Sequence, residues 1–261
     1  TALERLAEVD TVVFDKTGTL TLGTPEPVGL ADHPAESAAV AAALAAGSSH
    51  PLARALAEGA KAAGIAPASV ADIREVPGQG IEGQYHGVRV RLGRADWCGA
   101  NPLPMTATYL SIAGTPDSEG ERRVPQQTHA FAFTDRLRPG AEKAVSALKA
   151  AGLQIELLSG DAATPVQDLA GRLGIPHWQA GVLPAEKAAR VAQLAAEGRK
   201  VLMVGDGLND TAALAAAHVS ISPASALDAA RVASDIVLLG QDIAPIADAV
   251  RISRQATRRM I

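Results

Sequence analysis

The chain has one cysteine, Cys98, in 261 residues. That excludes an internal disulfide framework and a cysteine-rich metal site, and Cys98 reads as a small hydrophobe. Aromatic residues are scarce at 3%, so alanine and small aliphatics must fill most of the apolar 48%. Such a composition suits a helix-rich α/β protein better than an all-β sandwich. Positive charge is not in excess. A formal net charge of −4 gives no electrostatic reason to expect nucleic acid or an anionic membrane surface as partner. No uninterrupted apolar run reaches the roughly 18 residues that a bilayer span needs. The opening TALERLAEVD is too charged for a signal-peptide core. With no initiator Met and a basic closing segment, RISRQATRRMI, both ends read as cut from a longer chain.

What is present has a clear order. Four short apolar runs followed by turn residues read as buried strands: 11–14 (TVVF), 155–158 (IELL), 201–204 (VLMV) and 236–239 (IVLL). Alanine-rich stretches of helical period lie among them, for example 140–151 and 185–197. That alternation predicts an α/β fold, a doubly wound parallel sheet with helices on both faces. Ligands of such sheets sit off the carboxyl ends of the strands. From about 31 to 129 the strong strands vanish. Helical patterns at 35–46 and 51–63 are followed by glycine-punctuated β-like pieces at 81–85, 88–92 and 108–112. The run 114–125, rich in Gly, Pro, Asp and Glu, reads as a hairpin tip or loop. The organisation expected is a sheet domain of 1–30 plus 130–261 with an α+β domain, 31–129, inserted into it.

The strand ends carry the chemistry. Asp15-Lys16-Thr17-Gly18-Thr19-Leu20-Thr21 follows the first strand directly. A carboxylate there can attack phosphorus and form an acyl phosphate, splitting one hard transfer into two easier ones. Gly18 allows a tight turn that brings N–H groups toward phosphate oxygens. Gly205-Asp206-Gly207-Leu208-Asn209-Asp210 follows another strand, and its two aspartates are spaced to share a Mg²⁺ site with Asp15. Ser159-Gly160-Asp161 ends a third strand and offers a hydroxyl donor. Lys187, in LPAEK, lies near a helix start, where an ammonium can act as a point charge on a phosphoryl group. Singly, each is an ordinary cap, turn or surface residue. Together, in this order, they make a complete phosphoryl-transfer set.

DKTGTLT (Asp15–Thr21) with GDGLND (Gly205–Asp210) resembles the signature pair of P-type ATPases, within the haloacid-dehalogenase-like fold. Most phosphatases of that fold carry a second aspartate two places after the nucleophile, where this chain has Thr17, as the pumps do. The resemblance implies that Asp15 accepts the γ-phosphate of ATP. It also implies that Asp15, Asp206 and the Thr17 carbonyl hold Mg²⁺. It gives Ser159 and Asp161 the place of the family's TGD motif, Lys187 that of its phosphate-contacting lysine, and Asn209 and Asp210 the end of its hinge motif. Asp135, in TDRLRP, matches the aspartate of the return crossing. The inserted part resembles the heavy-metal branch. SSHPLA around His50 is similar to that branch's histidine–proline motif, and Glu75-Val76-Pro77-Gly78-Gln79-Gly80 to its glutamate with GxG. The resemblance implies that His50, Glu75, Gly78 and Gly80 cradle adenine and ribose. Glycines there would admit a flat base.

Three departures stand out. The run 220–225 reads SISPAS, a variant similar to the copper pumps of cytochrome oxidase assembly. Arg94, in LGRADW, sits where many relatives carry asparagine, so that turn counts for less as a nucleotide contact. The membrane helices, the ion site and the actuator domain are absent. The resemblance therefore implies the cytoplasmic portion of an integral membrane pump, soluble by itself. Its partners would be ATP, the transported metal ion, and the transmembrane and actuator domains of the same chain. Copper(I) is the ion expected first, with zinc-group ions behind it. Closure about crossings near 22–27 and 133–138 would bring the γ-phosphate to Asp15. Two other readings stay open: a free-standing phosphatase acting on a small ester, and a non-catalytic module that has kept the fold. The lack of a second aspartate counts against the first, and the intact set of Asp15, Lys187, Asp206 and Asp210 against the second.

Overall fold

A computed structural model of the chain describes residues 1–115 and 125–260. Most of the expected loop at 114–125 lies outside the described residues. The chain divides into two compact units, Thr1–Gly23 with Arg136–Ile261, and Thr24–Asp135.

In chain order the elements are α1 (Ala2–Ala7), β1 (Thr11–Asp15), β2 (Thr21–Pro27), α2 (Ala35–Ala46), α3 (Pro51–Ala62), β3 (Ala71–Val76), β4 (Gly80–Tyr85), β5 (Val88–Gly93), α4 (Ala95–Cys98), β6 (Ala107–Ile112) and β7 (Gln127–Leu137). Then follow α5 (Ala141–Ala150), β8 (Gln154–Leu158), α6 (Ala163–Leu173), β9 (His177–Gln179), α7 (Pro184–Ala196), β10 (Val201–Val204), α8 (Thr211–Ala216), β11 (Val219–Ala224), β12 (Ile236–Leu239) and α9 (Pro245–Arg259).

The first unit is a six-stranded sheet in the order β12-β11-β10-β1-β8-β9, and every pair in it is parallel. Its central strands are buried along their whole length, which is why they read as continuous apolar runs. Side-chain alternation sorts those runs into two cores. Val12, Phe14, Leu202 and Val204 pack with α1, α5, α6 and α9. Val13, Val201 and Met203 pack with α7 and α8 on the other face. The register pairs Phe14 with Val204 and Asp15 with Leu158, so the carboxyl ends of β1, β8 and β10 open on one edge.

The second unit has a six-stranded sheet in the order β2-β7-β6-β5-β4-β3, with antiparallel pairing from β3 through β7. Val40, Leu44 and Leu56 of α2 and α3 pack with Ile81, Val90, Leu92, Leu110 and Phe131 of the sheet. The segments named as crossings run as strands. Segment 22–27 belongs to β2, and most of 133–138 belongs to β7, its neighbour in the sheet. β2 is the edge strand, the place in a sheet where Pro25 and Pro27 are tolerated without a ladder donor.

Candidate active site

Asp15 is the last residue of β1 and is 5% exposed. The loop after it, Lys16–Leu20, turns at Gly18 with φ of 73°, and closes with the Thr21 N–H donating to the Lys16 carbonyl. A side chain at Gly18 would be strained by that φ. Arg138 braces the loop from outside. Its Nε donates to the Thr19 carbonyl at 2.8 Å, a terminal nitrogen to the Gly18 carbonyl at 2.9 Å, and its backbone N–H to the Leu20 carbonyl at 2.8 Å.

Lys187 lies in the first turn of α7 and is buried. Its Nζ donates to Asp15 Oδ1 at 2.8 Å and to Asp210 Oδ1 at 3.2 Å. Asp210, the N-cap of α8, is also buried, and its Oδ2 has no hydrogen-bond partner among the described residues. Asp206 Oδ1 accepts the Leu208 N–H at 2.9 Å, and its Oδ2 accepts from the Asn209 side-chain amide. Asn209 therefore orients Asp206. A Cβ at Gly18 would lie 3.9 Å from Asp206 Oδ2, so this carboxylate faces the loop. Ser159 is buried at the end of β8. Its Oγ accepts the Asp161 N–H at 3.1 Å, which leaves its own proton for another acceptor. The Asp161 carboxylate accepts from Lys16 Nζ at 2.7 Å.

One ammonium thus serves two buried carboxylates. Burial, and after it the adjacent Asp210, push the Asp15 carboxyl up to about 7 against the pull of Lys187. Burial works against the Lys187 ammonium, but Asp15 and Asp210 outweigh it and raise its pKa. The cluster is short of positive charge and has an unpartnered oxygen on Asp210. Its oxygen donors suit a hard dication such as Mg²⁺. Among the described residues no three His, Cys, Asp or Glu side chains form a metal site by themselves. A cation here would need the Thr17 carbonyl, water or substrate oxygens beside Asp15 and Asp206.

In the second unit, His50, Glu75, Gly78 and Gly80 line one cavity of about 480 Å³, within the range usual for small-molecule sites. His50 caps α3: its Nδ1 accepts the Leu52 N–H at 3.2 Å, so the neutral ring carries its proton on Nε2. Glu75 Oε1 accepts the Ser49 N–H at 2.7 Å, which ties the His50 loop to β3 and, with the nearby Ser48 and Ser49 hydroxyls, lowers the Glu75 pKa. At Gly80 a Cβ would meet the Leu92 carbonyl at 2.2 Å and Gly93 Cα at 2.7 Å, so the missing side chain makes room for β5. At Gly78 a Cβ would meet nothing within 4 Å.

The structure adds residues that had no role in the sequence reading. Arg138 was visible only as part of TDRLRP, and nothing local tied it to a loop some 120 residues earlier. Lys16 was inside the motif, but its pairing with Asp161 needed the adjacency of β1 and β8. Arg94 lines the same cavity as His50 and Glu75.

An aspartate at a parallel strand's end, a lysine on it and a carboxylate pair after the next strand are arranged as a haloacid-dehalogenase-like fold would arrange them. The family model described as haloacid dehalogenase-like hydrolase matches residues 9–218, and the chain belongs to that family. Its homologues include metal-transporting P-type ATPases. The nitrogen fixation protein FixI of Bradyrhizobium diazoefficiens is 43% identical over 99% of this chain and 34% of its own length. The probable copper-transporting ATPase PacS of Synechococcus elongatus is 34% identical over 97% of this chain and 35% of its own. The chain spans about a third of the length of the curated relatives it matches. Among solved structures, the catalytic domain of the CPx-ATPase CopB-B, described in connection with nucleotide binding, is 32% identical with a TM-score of 0.60. The match covers 95% of this chain and 92% of that one.

Proposed function

We propose that this chain is the ATP-binding and phosphorylation portion of a heavy-metal P-type ATPase, and that Asp15 accepts the γ-phosphate of ATP. The observation that carries the reading is the buried Lys187 ammonium held by both Asp15 and Asp210. A lysine so placed keeps the nucleophile oriented and meets the charge that develops on the phosphoryl oxygens.

In this reading adenine and ribose occupy the cavity of His50, Glu75, Gly78 and Gly80. An Asp15 oxygen attacks the γ-phosphorus, the bond from that phosphorus to the bridging oxygen breaks, and ADP leaves. Ser159 donates to a phosphoryl oxygen. Asp210 holds Lys187, Asn209 holds Asp206, and Asp161 holds Lys16. Asp15, Asp206 and the Thr17 carbonyl would hold Mg²⁺, which would supply charge neutralisation for the transfer and favour the ionised form of Asp15. Thr17 leaves the site without the carboxylic acid that would protonate a small ester's leaving group.

No helix among the described residues is long and apolar enough to cross a membrane. In the full-length pump the phosphoenzyme would act on membrane helices and an actuator domain outside this chain. Copper(I) is the ion in this reading, in keeping with the name of the Synechococcus relative. The test is incubation with γ-labelled ATP and Mg²⁺, then acid quench. An acid-stable, hydroxylamine-labile label that Asp15→Asn abolishes is expected. Fast turnover of an aryl phosphate with no retained label would favour a free-standing phosphatase instead.

A further inference from the structure

The cavity of the second unit holds one permanent positive charge, and the assignment above leaves it unused. Among the residues that line the cavity, Glu75 is acidic, His50 is neutral in the tautomer its cap requires, and Arg94 alone is a fixed cation. We propose that Arg94 is a specificity-determining residue, its guanidinium binding the phosphates of the adenine nucleotide seated there. The inference rests on the nucleotide reading of this cavity and extends it to a residue type that reads charge.

Three observations support it. First, the Arg94 backbone is fixed to the cavity wall. Its N–H donates to the Gln79 carbonyl at 3.0 Å, beside the close approach of Gly80 to Gly93. The base of the side chain therefore has a set position. Second, the side chain itself is 66% exposed and is engaged only through Nε, to Asp96 Oδ1 at 3.3 Å. The two terminal nitrogens have no partner among the described residues. Third, Asp96 is 70% exposed, and a pair so open to solvent is worth little. A phosphate, with more charge and a geometry matched to the guanidinium fork, competes with it readily. The cavity then offers an acceptor in Glu75 for the nucleoside's N–H or O–H groups and a donor fork for its anion. Asparagine at position 94 would offer a neutral amide in place of that charge.

The test is calorimetric titration of the parent chain, Arg94→Ala and Asp96→Asn with adenosine, ADP and ATP, without Mg²⁺, at low and raised salt. Arg94→Ala should weaken ADP and ATP about tenfold, the loss expected for one charged hydrogen-bonding contact, and adenosine less than twofold. Raising salt should weaken ATP more for the parent than for Arg94→Ala, because one screened contact is gone. Asp96→Asn should tighten ATP about two- to threefold by releasing Nε. Equal losses for adenosine and ATP would make Arg94 a part of the wall and overturn the proposal, as would unchanged ATP affinity in Arg94→Ala. A parent chain that binds neither adenosine nor ATP would remove the nucleotide reading itself, a failure separable from that of Arg94.

Discussion

Lys187 Nζ lies 2.8 Å from Asp15 Oδ1, and neither residue is more than 8% exposed. The second carboxylate on the same ammonium, Asp210, gives that contact its consequence. Replacing lysine by methionine keeps the volume and removes the ammonium that holds two buried carboxylates together. Breaking a buried pair from one side costs about 3 kcal/mol, or on the order of 5–10 °C in Tm for a chain of this size. Protonation relieves the cost. The Lys187→Met deficit in Tm should therefore be large at pH 8 and small at pH 5, and no phosphoenzyme should form. A deficit independent of pH would show that the pair contributes by packing alone.

The Asp15 carboxyl makes a second prediction with a definite sign. Its folded pKa of about 7 lies above the ordinary 3.8, so between those values the folded chain binds more protons than the unfolded one. Stability contributed by this group is intact at the acid end, falls as pH rises from about 4 to about 7, and is lost above that. Asp15→Asn should thus be more stable than the parent at pH 8, by up to about 4 kcal/mol, with the gap closing toward pH 4.5. Mg²⁺ should narrow the gap at pH 8 by stabilising the parent selectively. Thermal unfolding of both chains across that range, with and without Mg²⁺, tests both statements. A variant less stable than the parent at pH 8 would reverse the electrostatic account of the cluster.

The strands of the first sheet were legible because burial on both faces writes a continuous apolar word, and the same logic located the catalytic motifs at their carboxyl ends. β11 was harder to read. Its SISPA places serines at buried positions, with Ser220 satisfied by Asp235, a pairing that composition does not announce. β2 and β7 are less legible as strands, because Gly23, Pro25, Pro27 and a stretch of mixed polarity interrupt the apolar pattern. In β7, the alternation that buries Phe131 and Phe133 is interleaved with small and polar residues, which hides the period. In the site, the side chains inside motifs were named from sequence, but their mutual bonds were not. Lys16 to Asp161 and Arg138 to Gly18 are long-range contacts that only the sheet order creates.

Arg138 is a positioning residue for the Asp15 loop. It takes up three successive carbonyls, those of Gly18, Thr19 and Leu20. A trans peptide points its N–H away from its carbonyl, so anchoring carbonyls on one side turns the following N–H groups to the other. Arg138→Met should slow phosphoenzyme formation about 10- to 100-fold at saturating ATP while the Kd for ATP changes less than twofold. Arg138→Lys should recover part of the rate. A change confined to Kd would place the residue in nucleotide binding instead.

His50 has two tasks that different substitutions separate. Its Nδ1 accepts the Leu52 N–H and starts α3, while Nε2–H is left for a ligand in the cavity. Asparagine is among the strongest N-cap residues and alanine among the weakest, a difference of about 1 kcal/mol. His50→Asn should therefore keep the parent's Tm within about 2 °C and still lose adenine-nucleotide affinity, by about tenfold. His50→Ala should lose the same affinity and an additional 2–4 °C. Calorimetry with ADP alongside thermal unfolding distinguishes the two tasks. If His50→Asn bound nucleotide as tightly as the parent, the imidazole would be a helix cap alone, and the base contacts of this cavity would have to come from the Glu75–Gly80 turn.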